Sequence, residues 1–282
     1  MRRVTTVRRG ATLVEMLVAL TLSALVGAAV ATALAAAERY MRVARAASVA
    51  RRTLREAQAV LASELRAASA DSLRVRGDTA VDFLGLVGLS VVCVSSGTVL
   101  VLPPEVAADG LPYTSWRASP ESGDLVVAFD TASGGAWRPA VVDTAVARTD
   151  GAGCRPSSGL LSAADSAARK PVTRLQLRAP LDPSIAVGAP VRVLRSGRYA
   201  LTHSGDGNWV LSYRRCAGSS CGTAQPVAGP LSAPTDSGLF FTSVAGESRV
   251  EAALRAPGSG QHAPRDGTVL RLTVRNDATG KP

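Results

Sequence analysis

The chain has almost no lysine: of its 32 basic residues, only Lys170 and Lys281 are not arginine. Histidine is confined to His203 and His262, and neither has an acid or a nucleophile at a recognisable catalytic spacing. No proline precedes Pro103, and Gly27 is the sole glycine between Gly10 and Gly77, so nothing early in the chain breaks a helix. After Glu38 no apolar run is long enough to cross a bilayer. The serines, Ser219 and Ser220 included, lack a G-x-S-x-G elbow, and the cysteines lack a C-x-x-C pair. Asp206-Gly207-Asn208 lacks the rest of a calcium-loop ligand run and reads as a hairpin turn. These absences leave no enzymatic activity, no cofactor and no metal to expect.

The formal charge is +10, but Arg2, Arg3, Arg8 and Arg9 supply four of those charges, leaving +6 beyond the first ten residues. No basic run is interleaved with aromatics, so the arginine bias reads as the mark of a GC-rich genome. A basic surface can still meet anionic lipid or DNA, and nucleic acid stays a minor alternative partner.

What the chain does have is a segment from Ala11 to Ala37 with a single charge, Glu15. As a helix it is about 40 Å long, more than the roughly 30 Å of hydrocarbon in a bilayer. Helical periodicity continues beyond it. Val43, Ala47, Ala50, Leu54, Ala57, Leu61, Leu65 and Ala68 recur every three or four residues, with arginines on the other faces. One helix is therefore predicted from about Leu13 to about Ala70, apolar all round at first and amphipathic after Glu38.

Beyond Gly77 glycine, proline and serine become frequent, and short β-branched runs replace the helical pattern. Strands are expected at Ala80–Leu84, Ser90–Val94, Thr98–Leu102, Asp124–Phe129, Arg174–Leu177 and Pro190–Leu194. Tyr199–Thr202 and Trp209–Tyr213 flank a hairpin turn, and Gly238–Ser243, Arg249–Leu254 and Thr268–Val274 follow. Pro103–Pro120 and Gly151–Pro171 read as long loops, the second with a short helix around Ala163–Arg169. The expected fold is α+β, one long amino-terminal helix on a β-rich antiparallel domain. Its parts are residues 1–10, a leader; 11–37, the membrane half of the helix; 38–76, the amphipathic half; and 77–282, the β-rich domain.

Four cysteines permit three pairings. Cys216 and Cys221 flank a short flexible loop that can close as a local disulfide, which leaves Cys93 and Cys154 for a longer one. Two such bridges fit an oxidising compartment; four buried free thiols are the alternative.

Three readings of the amino terminus compete. Thr12-x-x-Glu15 is a capping box that can open an ordinary membrane anchor, with Glu15 at the positive end of the helix dipole. Ala33-Leu34-Ala35 is an acceptable signal-peptidase site, giving a mature start at Ala36, but the apolar segment is too long and the periodicity runs through the cut. The third reading takes the whole string Gly10-Ala11-Thr12-Leu13-Val14-Glu15-Met16-Leu17 behind Arg8 and Arg9. It resembles the prepilin cleavage and methylation signal of type IV pilins and type II secretion pseudopilins, with Ala11 where an aromatic residue is commonest.

That resemblance implies a pilin-like fold and cleavage at Gly10–Ala11 by a prepilin peptidase, followed by N-methylation of Ala11. It further implies that Glu15 pairs with the terminal amine of a neighbouring subunit during filament assembly on an inner-membrane platform. The segment Arg51–Ala68 and the later order of strands resemble PilW-type minor pilins and J-type pseudopilins. The implied location is the inner membrane, single-pass, with the carboxy-terminal domain periplasmic, and then a surface pilus or a periplasmic pseudopilus. The competing class is a signal-anchored periplasmic enzyme or binding protein that never enters a filament.

Overall fold

The computed structural model describes residues 12–68, 72–106, 112–131, 135–217, 220–234, 239–243, 249–257 and 267–273. A single helix, α1, runs Leu13–Ala67, with Glu15 in its first turn and Arg66 in its last, both favourable to the helix dipole. It is followed by β1 (Arg74–Arg76), β2 (Ala80–Val91), β3 (Val94–Ser96), β4 (Val99–Leu102), β5 (Ser115–Trp116), β6 (Leu125–Asp130) and β7 (Ala136–Arg148). A short helix, α2 (Ala163–Ala167), precedes β8 (Val172–Leu177), β9 (Pro190–His203), β10 (Trp209–Ala217), β11 (Ser220–Cys221) and β12 (Gln225–Leu231). A separate three-stranded sheet is made of β13 (Leu239–Ser243), β14 (Arg249–Arg255) and β15 (Gly267–Thr273). This is the expected α+β class, a long amino-terminal helix packed on an antiparallel β domain.

The chain divides into two units, residues 1–49 with 259–264, and residues 50–258 with 265–282. In the first, every described residue from Thr12 to Arg45 is exposed, large apolar side chains such as Leu17, Leu25 and Leu34 included. In the second, the end of α1 buries Leu54, Ala57, Leu61 and Leu65, one stripe at three- and four-residue spacing. The stripe packs with Val81 and Phe83 of β2, Tyr199 and Leu201 of β9, Leu211 of β10, and Phe241, Val250, Ala252 and Leu254 from the small sheet.

The rest of the large sheet closes on itself. Hydrogen-bonded neighbours run β2-β9-β6-β7-β8-β4. The chain just after β2 then joins β4, because the Cys93 N–H donates to the Val101 carbonyl at 2.9 Å. All six strands contribute to one apolar interior, with Val87, Leu100, Val126, Val142, Leu175 and Val193 among its members. The result is a small filled barrel. Its corner after β2 is fastened by the Cys93–Cys154 disulfide, which packs with Val101, Leu161 and Val172.

The second disulfide, Cys216–Cys221, joins residues that face each other across the β10–β11 pair. With a sequence separation of 5 it closes a small loop. Replacing both cysteines by serine is expected to lower stability by only about 2 kcal/mol, from the loop-entropy relation. Thermal unfolding measures that loss, and non-reducing peptide mapping detects the linked peptide.

Several expected strands are merged, and some were not anticipated. Ala80–Leu84 and Ser90–Val94 belong mostly to one strand, β2, which carries an irregularity between Leu86 and Gly88. Pro190–Leu194 and Tyr199–Thr202 are likewise one strand, β9. The helix stops at Ala67 and β1 begins at Arg74, so the span 38–76 already contains the first strand. Gly77 and Asp78, both at positive φ, turn β1 onto β2. The interval Gly151–Pro171 does hold its short helix, with Ser162 and Asp165 forming a capping box. The strand β7 has no counterpart among the expectations: its alanines and Pro139 read poorly as β structure. Pro139 is tolerated because β8 pairs only from Val142 onward, so only one side of β7 is bonded there.

Candidate functional site

The amino-terminal helix is the part of the chain whose sequence carries chemistry. Gly10 and Ala11, the bond expected to be cut and the residue expected to be methylated, lie outside the described residues. From Thr12 the geometry is defined. The Thr12 N–H donates to Glu15 Oε2 at 2.9 Å, and the Glu15 N–H donates to Thr12 Oγ1 at 3.3 Å. The Thr12 hydroxyl also donates to Glu15 Oε2, at 3.2 Å. This is a complete capping box, the feature that the plainest reading of Thr12-x-x-Glu15 requires. It also turns the carboxylate back toward the residue preceding Thr12. The other residues of the first turns, Leu13, Val14, Met16, Leu17 and Val18, are apolar.

Further along, α1 is long and apolar enough to cross a membrane. Ala33-Leu34-Ala35 sits inside the unbroken helix, not in an extended segment of the kind a peptidase binds. Thr21 and Thr32 keep their hydroxyls on carbonyls of the preceding turn, which removes the cost of exposing them to lipid. Past the apolar run come Arg39, Arg42 and Arg45, all exposed.

Other candidates from the sequence resolve into structural roles. The Asn208 side chain donates to Asp206 at 2.9 Å within the hairpin turn between β9 and β10. His203 lies edge-on to Trp209, with ring centroids 5.3 Å apart. His262 and Ser219 lie outside the described residues. All four cysteines are in the two disulfides. Glu64, near the end of α1, lines a cleft of about 410 Å³ with Phe83, Arg117, Arg195, Tyr199 and Tyr213. Burial, helped by the charge of Glu64, raises the pKa of the Tyr199 hydroxyl and holds it neutral.

Sequence reasoning missed a buried, heavily bonded carboxylate. Asp124 is 1% exposed, and its two carboxylate oxygens take Arg195 Nε and Nη2, each at 2.8 Å. It also takes Arg215 Nη2 at 3.3 Å and the Glu121 N–H at 2.8 Å. No local motif marks it, because its partners are about 70 and 90 residues away, on β9 and β10.

A comparison with protein families supports the third reading of the amino terminus. Residues 6–31 match the prokaryotic N-terminal methylation motif. The chain carries that motif. It implies processing by a prepilin peptidase, and the apolar helix behind it implies anchoring in the inner membrane before assembly. No curated protein and no solved structure matches the chain.

Proposed function

We propose that the chain is a minor pilin or pseudopilin, a structural subunit that is cut after Gly10, methylated on Ala11, and then incorporated into a type IV pilus or a type II secretion pseudopilus. The observation that carries this reading is the pairing of the methylation motif with a helix unbroken from Leu13 to Ala67. The apolar part of that helix, beyond Glu15, has no charge before Glu38 and suits a bundle of like helices in lipid or in a filament core. Its last part is already committed to its own β domain through Leu54, Ala57, Leu61 and Leu65. A β-rich domain of some two hundred residues is large for the repeating subunit of a filament, which favours a minor position, at the tip or in priming. The reading assigns no catalysis to the chain; the only bond chemistry is done on it by the peptidase and the methylating activity.

Mass analysis of the mature terminus tests this. The expected result is a polypeptide beginning at Ala11 and heavier by one methyl group. A chain that keeps its first ten residues, or begins at Ala36, in a host with a working prepilin peptidase leaves only the anchored periplasmic alternative.

A further inference from the structure

The face of the large sheet turned away from α1 carries a row of arginines that no sequence pattern announces. Val75, Val81, Tyr199, Leu201 and Leu211 point into the core under the helix. The residues that alternate with them point the other way. Across the four neighbouring strands these stand directly opposite one another: Arg74 on β1 faces Asp82 on β2, Asp82 faces Arg198 on β9, and Arg198 faces Arg214 on β10. At about 4.8 Å per strand the row spans about 14 Å. Arg76 joins it diagonally through an ion pair to Asp82 at 2.8 Å.

Four arginines and one aspartate give this face a local charge of +3. Asp82 is fully engaged. Its Oδ1 takes Arg198 Nε at 2.5 Å, and its Oδ2 takes Arg198 Nη2 at 3.1 Å and Arg76 Nε at 2.8 Å. None of these bonds involves Arg214. Its Nε is sealed from solvent and makes no hydrogen bond, the only such side-chain atom among the described residues. Like charges directly opposite on neighbouring strands destabilise a sheet, and a buried donor without a partner adds to that. An unsatisfied group of this kind calls for an acceptor that the chain itself does not supply.

We propose that Arg198 and Arg214 form a binding site for a phosphate-type oxyanion on this face. Arg198 gives its Nε–Nη2 edge to Asp82 and keeps its remaining edge, while Arg214 offers a whole guanidinium. A tetrahedral phosphate carries more oxygens and more negative charge than a carboxylate, and accepts from two guanidiniums approaching from different directions. Seated there, the anion neutralises the repulsion between the two arginines and gives the idle Arg214 donors an acceptor as that side chain turns to meet it. Free phosphate and the phosphate of a lipid headgroup present the same chemistry.

The test is thermal unfolding of the full chain in neutral detergent, with inorganic phosphate against sodium chloride at matched ionic strength, and with phosphatidylglycerol against phosphatidylcholine in the micelle. The expected result is a rise in midpoint with phosphate or with phosphatidylglycerol that is absent from Arg214→Gln and kept by Arg74→Gln. A response to inorganic phosphate identifies the free ion as sufficient; a response to phosphatidylglycerol alone identifies the headgroup. Without either anion, Arg214→Gln unfolds at or above the wild-type midpoint, since it removes a repulsion and no bond. No response from the wild-type chain, an equal response from Arg214→Gln, or equal losses in Arg214→Gln and Arg74→Gln overturns the site.

Discussion

Glu15→Val is expected to leave removal of the leader intact and to lower the amount of protein recovered in filaments by about two orders of magnitude. The size follows from removing one partner of a buried ion pair, which leaves the other charge uncompensated at a cost of about 3–5 kcal/mol, with the lower end taken for a pair near the membrane interface. A tenfold change in an equilibrium corresponds to about 1.4 kcal/mol. Once Ala11 is the first residue, its ammonium stands one position before Thr12, on the side to which the capping box turns the Glu15 carboxylate. Valine is at home in lipid, so the variant stays anchored and its Gly10–Ala11 bond stays accessible. On the proposed reading, what it loses is the charge that pairs with the terminal amine of a neighbouring subunit.

Capping and charge pairing are separable at this residue. Glu15→Gln retains an oxygen for the Thr12 N–H and so retains the box, but has no charge to offer an ammonium. If capping were the whole role, Glu15→Gln would assemble like the wild type and Glu15→Val would suffer only the loss of a cap, about 1 kcal/mol. If pairing dominates, Gln and Val fail alike. Immunoblots of sheared filaments against the membrane pool, with the mature terminus checked by mass, distinguish these outcomes. Normal assembly of Glu15→Gln contradicts the pairing argument.

The sequence made the helix legible because its signal is local and repeated. Period, caps and the absence of proline and glycine all act within four residues of the position they specify, and the buried stripe from Leu54 to Leu65 appears where the periodicity placed it. The β domain was legible only in pieces. The apolar runs of β6, β8 and β14 announce strands, yet nothing local says that Ser196-Gly197-Arg198 continues β9 rather than ending it. Gly197 is needed there because the Tyr213 ring lies where a side chain would be, a demand made by a residue on another strand. The capping box was visible in Thr12 and Glu15; the arginine row and the Asp124 cluster were not, since each is assembled by strand register across long separations. A polar residue amid β-branched neighbours looks the same in sequence whether it is solvated or, like Asp124, sealed.

Asp124→Ala is expected to lower the stability of the β domain by about 3 kcal/mol or more. Its position explains why. One edge of β9 pairs with β6 through Val191–Leu194 and then with β10 from Gly197 to His203. Between these two partners the edge forks, and Arg195 stands at the fork. Asp124, just before β6, takes both arms of Arg195 and one of Arg215 on β10, tying the strands that diverge there. The arginines also donate to the carbonyls of Ser119 and Ser122, and Arg215 pairs with Glu121. Removing one partner of a buried ion pair typically costs about 3–5 kcal/mol, because the remaining charge is left uncompensated. The lower end applies because Arg215 is about one-third exposed and Glu121 stays as a second counterion. Asp124→Asn keeps an acceptor but not the charge, and should lie between the alanine variant and the wild type. Thermal unfolding of the full chain measures all three. If Asp124→Ala unfolded within about 0.5 kcal/mol of the wild type, as surface substitutions usually do, the cluster would be an ornament of the surface and not the tie between the two halves of the sheet.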